Sequence, residues 1–361
     1  MAKPKGRKNA PDEPARGQND GSPVEHPVEP IEYHELLRRL ADPDVPKEEL
    51  LPYLETRFTE DEKKQPRPIR VGLAPALFPR EFVTYEEPES VNARARGNWV
   101  LGALNSAYRQ RRLTTFNRRV AARDPRPIVM AEGDSWFQYP LVLDDTIDHL
   151  SDNYTIFCMS GAGDEMRGMA EAMEFVDLWK NLSNIRKLNV RALLLSAGGN
   201  DIVGAEFARI LKPFAEGQTA RDSLNAAAWK RKLGALLDGY RRVFKAFRAL
   251  DASVPILFHA YDYANPLPAQ GLGWPRDGWL GAPMRGRGYP DGQLQVEIVR
   301  ELLEDVNTAF KQLAAEEPGV HFVDNRKVVN GRWFDELHPT DDGFRDVAAN
   351  FRKSLHQLGI R

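Results

Sequence analysis

From Pro127 onward, short apolar runs rich in β-branched residues alternate with longer amphipathic stretches. The runs are PIVMAEGDS, NYTIFCMSG, VRALLLSAGGND, VPILFHAYDY and VHFVDN. Between them lie the helical texts DEMRGMAEAMEFVDLWKNL, AAWKRKLGALLDGYRRVFKAFRAL and LQVEIVRELLEDVNTAFKQLAAEE. Strand text alternating with helix text predicts an α/β fold of three α/β/α layers, a mostly parallel central sheet covered by helices on both faces. Such a sheet takes its ligand in the crevice beyond the carboxyl ends of the strands.

Three segments follow from the change of pattern. Residues 1–30 hold six prolines and three glycines with five basic and five acidic residues, a composition that buries too little apolar surface to order itself, and they read as a disordered tail. Residues 31–126 read as a helical N-terminal extension, with IEYHELLRRLAD ended by Pro43 and KEELLPYLETRF interrupted by Pro52. Residues 127–361 carry the α/β pattern.

Charge changes this picture. The whole chain has 50 basic and 52 acidic residues, a near balance. Within Val91–Arg126, however, nine arginines face one acid, Asp124, for a net charge of +8. The segment has few aromatics, its arginines recur as RR steps at helical spacing and no nucleic-acid motif accompanies it, so it is expected to be a solvated helix face answering the acidic remainder, either docked within the chain or open to a protein partner. The single cysteine, Cys158, cannot form an internal disulfide and lies in an apolar run, which fits an inert core residue in a reducing compartment. No stretch has the length and apolarity of a membrane span, and a cytoplasmic protein is expected.

Polar, glycine-rich text follows almost every expected strand: Gly133-Asp134-Ser135, Gly161-Ala162-Gly163-Asp164, Gly198-Gly199-Asn200-Asp201 and, after the last, Asp335-Glu336-Leu337-His338-Pro339. All should meet on one rim. A serine hydroxyl is a poor nucleophile until a base removes its proton, and that base needs a partner to fix its tautomer. Ser135, His338 and Asp335 supply the three roles. The N–H groups of Ser135 and Gly163 and the side-chain amide of Asn200 are candidate donors to an oxyanion. No metal or organic cofactor is called for.

These four blocks, in this order and spacing, resemble the SGNH hydrolase superfamily, the GDSL esterases and lipases, over residues 127–357. The resemblance implies a flavodoxin-like sheet. It also implies a serine esterase working through an acyl-enzyme, with Ser135, Gly163, Asn200 and His338 as signature residues and Asp335 completing the triad. Trp136 departs from the pattern, since a smaller aliphatic residue usually follows the serine; the shape of the acyl pocket is affected.

Each assignment has a plainer counterpart. Ser135 has the makings of a helix N-cap, Gly163 and Gly199 of turn residues, and Asn200 of a cap. Asp134 and Asp201 read as structural, and His259 and His321 as core or rim residues within strands. Trp136, Tyr139, Tyr261, Trp274 and Trp279 are candidate substrate contacts. The last three lie in the Gly- and Pro-rich stretch 261–292, which is either a lid or a solvated excursion. Transfer of the acyl group to another alcohol would use the same residues as hydrolysis. A metal-dependent phosphoesterase would need an Asp-x-His and further histidines that the sequence lacks. In a second alternative the chain is a non-enzymatic or regulatory protein acting through its N-terminal extension.

Overall fold

A computed structural model describes residues 33–50, 58–60, 66–68, 91–139, 143–266 and 279–361. The tail expected over residues 1–30 lies outside the described residues, as does Trp274. The five apolar runs form β1 (Ile128–Gly133), β2 (Thr155–Cys158), β3 (Val190–Ser196), β4 (Ile256–His259) and β5 (Val320–Val323). They pair in parallel in the order β2-β1-β3-β4-β5. Nearly every residue of β1 to β4 is buried, because helices cover both faces; this is why the strands read as unbroken apolar runs and not as alternating ones. The chain steps from β1 to one side and then returns to the other, so the carboxyl ends of β1 and β3 flank the crevice where such sheets bind ligands.

The helices are α1 (Tyr33–Ala41), α2 (Val91–Ala121), α3 (Thr146–Leu150), α4 (Met166–Ala172), α5 (Glu174–Lys180), α6 (Gly199–Ile202), α7 (Ala205–Ile210), α8 (Ala226–Leu250), α9 (Gly281–Gly286), α10 (Gln293–Glu316) and α11 (Asp341–Gln357). α4, α5, α8 and α10 pack on one face of the sheet, and α3 and α11 on the other. The text over 164–182 forms two helices instead of one, because Met173 adopts a left-handed conformation with φ 50°. The break lets Met166 and Met169 before it, and Phe175 and Trp179 after it, reach the same core.

The arginine-rich text forms α2, which lies against β2 at the sheet edge, with Phe116 edge-on to Phe157 at 5.2 Å between ring centroids. A solvated helix face describes only part of it. Arg118 reaches Asp44 at the surface, but Arg112 is buried, with Nη2 2.7 Å from both carboxylate oxygens of Asp145 and 2.9 Å from Asp148. Tyr108 donates to Asp148, and Lys47 pairs with the same carboxylate at 3.1 Å. Asp145 also caps α3 by accepting the N–H groups of Ile147 and Asp148. Burial opposes the charge on Arg112, but Asp145 and Asp148 outweigh it and raise its pKa well above that of free arginine. Arg112→Met would leave the Asp145 carboxylate buried without its cation. We expect that variant to lose about 3–5 kcal/mol of unfolding free energy, read as a lowered urea midpoint.

Candidate active site

β1 ends at Gly133, where a Cβ would stand 2.8 Å from the Ser196 Cβ on β3, too close for any side chain. The chain then turns sharply. Phe137 and Gln138 both donate their N–H to the Asp134 carbonyl, at 3.0 and 2.9 Å. The buried Asp134 carboxylate accepts from the Trp136 N–H at 3.0 Å, from the Ser196 hydroxyl at 2.7 Å and from the Tyr261 hydroxyl. The Tyr261 oxygen accepts in turn from the Gly199 N–H at 3.0 Å. Asp134 therefore anchors the turn that carries Ser135 and links the ends of β1, β3 and β4.

The DELHP segment folds back on itself, with the Phe334 N–H donating to the His338 carbonyl at 2.8 Å. Asp335 accepts the N–H groups of Leu337 and His338 at 2.8 and 2.7 Å, which orients its carboxylate toward the imidazole. His338 Nδ1 lies 2.7 Å from Asp335 Oδ2, and Nε2 lies 2.7 Å from Ser135 Oγ. With the Nδ1 proton directed at the carboxylate, the Nε2 lone pair faces the serine hydroxyl. The Trp136 indole N–H donates to the Leu337 carbonyl at 3.0 Å and so pins the histidine segment to the serine turn. All three members are buried, with 9%, 6% and 3% exposure for Ser135, His338 and Asp335, which leaves a narrow opening at the serine.

Ser135, His338 and Asn200 line one cavity of about 720 Å³, counted to its open mouth. Its walls are mostly apolar, among them Ile202, Phe207, Leu280, Val299, Leu302 and Val306. The Asn200 amide donates to the Asp164 carbonyl at 2.9 Å, which fixes its orientation and leaves its second amide hydrogen for another acceptor. Among the described residues neither the Ser135 N–H nor the Gly163 N–H has a partner within the chain. Tyr261 and Trp136 also line the cavity. Tyr139 and Trp279 stand edge-on to the His338 ring, at 4.6 and 5.8 Å between centroids, and do not line it.

A second Asp–Ser–His string, Asp134–Ser196–His259, runs beneath the first. His259 Nε2 lies 2.8 Å from Ser196 Oγ, and the imidazole is fully buried. Desolvation lowers its pKa to about 4 and keeps the ring neutral. It is a core residue with no access to the cavity. Asp201 caps α4 through the Met166 N–H at 2.8 Å, and Cys158 is buried and unpaired. Ser196 and Glu336 were not apparent from the sequence as parts of this site. Glu336 accepts the N–H groups of Leu280 and Gly281 at 2.9 and 3.0 Å and so holds the cavity wall beside Trp279; an acid next to Asp335 was its only signal. Among the described residues no three His, Cys, Asp or Glu side chains cluster as a metal would require, and no helix is long and apolar enough to cross a membrane.

The sequence profile described as the GDSL-like Lipase/Acylhydrolase family matches residues 123–345. The chain belongs to this family. As a GDSL-family protein it is a hydrolase. Similar solved structures include a putative platelet activating factor from Streptococcus pneumonia, 14% identical, covering 73% of this chain and 98% of that one at a TM-score of 0.42. An extracellular lipase from Streptomyces rimosus is also 14% identical, covering 63% of this chain and 99% of that one at a TM-score of 0.40. Phospholipase A1 from Streptomyces albidoflavus NA297 is 15% identical, with coverages of 63% and 99% and a TM-score of 0.41. No curated protein matches this GDSL-family chain.

Glu132, one residue before Gly133, is buried in this GDSL-family hydrolase. Desolvation, and then the nearby Asp164, push its carboxyl up to about 8. The folded state thus holds this proton more tightly than the unfolded chain does. The stability present at acid pH is lost as pH rises from the ordinary carboxyl range through 8, at up to about 1.4 kcal/mol per pH unit. In Glu132→Gln the decline should be shallower than in the parent, as measured by thermal midpoints from pH 5 to 8. Parallel curves for variant and parent would contradict the assignment.

Proposed function

We propose that the protein hydrolyses carboxylic esters that carry an aliphatic acyl chain. Asp335 orients His338, and His338 Nε2 takes the proton from Ser135 Oγ as that oxygen attacks the ester carbonyl. The tetrahedral oxyanion is received by the N–H groups of Ser135 and Gly163 and the amide of Asn200. His338 then protonates the leaving alcohol, and with the alcohol gone it deprotonates a water that releases the acid. The observation that carries this reading is the 2.7 Å contact between Ser135 Oγ and His338 Nε2, backed by Asp335 and opening onto an apolar cavity. Trp136 and Tyr261 contribute to the wall of that cavity, while Tyr139 and Trp279 pack edge-on against the catalytic imidazole. The buried, unpaired Cys158 fits a cytoplasmic setting.

Ser135→Ala should abolish hydrolysis of p-nitrophenyl esters and labelling by a fluorophosphonate probe. Activity retained in that variant overturns the mechanism. The apolar walls lead to a second expectation. Across acetyl, butyryl, hexanoyl and octanoyl p-nitrophenyl esters, kcat/KM should rise until the cavity is full, since each buried methylene contributes about 0.8 kcal/mol. Narrowing the cavity with Leu302→Trp should remove the gain for the longer chains and leave the acetyl ester unaffected. A preference for the acetyl ester in the unaltered protein would exclude an acyl-chain role for the cavity.

A further inference from the structure

α2 lies before the segment that matches the family, yet it touches the backbone on both sides of the proposed oxyanion site. Asn105, Arg109 and Arg112 are spaced four and three residues apart and so share one face of the helix. Arg112 Nη1 donates to the Phe137 carbonyl at 2.6 Å, in the turn that carries Ser135. Arg109 Nε donates to the Ser160 carbonyl at 3.0 Å, and its guanidinium lies where a Cβ at Gly161 would fall, 2.5 Å away. Asn105 makes the closest fit. Its Nδ2 donates to the Ala162 carbonyl at 3.0 Å, and its Oδ1 accepts the Ala162 N–H at 3.1 Å. The buried Gln138 amide donates to the Asn105 carbonyl and side-chain oxygens, both at 3.2 Å, and joins this clamp to the serine turn.

The Ala162 carbonyl and the Gly163 N–H belong to one peptide unit. That unit is planar and trans, so its C=O and N–H point in opposite directions. Gripping the oxygen on the α2 side therefore aims the hydrogen the other way. We infer that Asn105 is a positioning residue that sets the orientation of the Gly163 N–H for the oxyanion. The inference rests on the triad reading above. It gives α2 a part in the reaction without contact to the substrate.

The test uses the full chain with a short p-nitrophenyl ester and a trifluoromethyl ketone that mimics the tetrahedral intermediate. Asn105→Ala removes the clamp, and the near-isosteric Asn105→Asp keeps an acceptor for the Ala162 N–H but loses the donor to its carbonyl. Both should lower kcat about 10- to 100-fold with KM within about twofold, less than the 10²–10³-fold typical of deleting an oxyanion donor outright. Ketone affinity should weaken in proportion to kcat/KM. Arg119→Ala serves as the comparison, because Arg119, on the same helix as Asn105, binds the Ser151 and Tyr154 carbonyls instead. It should lower the thermal midpoint and leave kcat within about twofold. The inference is overturned if a folded Asn105→Asp or Asn105→Ala protein keeps kcat, or if its loss follows KM or the unfolded fraction while ketone affinity is unchanged. Activity surviving in Ser135→Ala would instead remove the triad reading itself.

Discussion

The site depends on one buried carboxylate. Asp134 is almost wholly out of water, and a charge there persists only if donors surround it. Those donors come from three places: the backbone after β1, the Ser196 hydroxyl at the end of β3, and the Tyr261 hydroxyl just beyond β4. Satisfying Asp134 therefore brings three strand ends into register. Tyr261 extends the same restraint to Gly199, the residue before Asn200. The serine turn and the Asn200 turn are thus parts of one hydrogen-bonded assembly.

Electrostatics ties the N-terminal helix to that assembly. Arg112 and Lys47 stand against Asp145 and Asp148, two cations with two carboxylates at the junction of α2, α3 and the serine turn. In such a cluster the loss of a partner is costly, because the remaining charges stay desolvated. The same guanidinium also donates to the Phe137 carbonyl, so the helix is fastened through the backbone as well as through charge.

Much of this was legible in the sequence, for definite reasons. Parallel strands buried on both faces are largely apolar, so β1 to β4 were visible as runs, and the half-buried edge strand β5 still carried Val320, Phe322 and Val323. Polar residues crowd the strand ends because the crevice forms there, so Ser135, Asn200 and the Asp335-Glu336-Leu337-His338 text stood out. What stayed hidden were the long-range partners. Arg112 finds Asp145 33 residues later, and nothing in their spacing encodes the meeting. An arginine run looks solvated from composition alone, although one of its members is buried. The Asp335-x-x-His338 spacing set His338 apart from His259 in the sequence, and burial bears on the distinction in the structure, since His259 is fully enclosed beneath the sheet's end while His338 lines the cavity. Tyr139 and Trp279 are aromatic near the serine or the long loop, but their placement on the imidazole depends on tertiary packing.

The serine and the imidazole it meets are 203 residues apart in the chain, with four of the five strands of the sheet between them. During synthesis the Ser135 turn, β1 and α2 leave the ribosome long before His338 does, and domains fold largely as complete units. On the triad reading proposed above, a nascent chain thus carries a hydroxyl with no base to activate it. Activation of the serine, on the proposed mechanism, waits for the last strand and the segment that follows it, which also supplies Leu337 and His338 to the cavity wall. On the proposed mechanism, the long separation confines an activated hydroxyl to molecules whose sheet is complete.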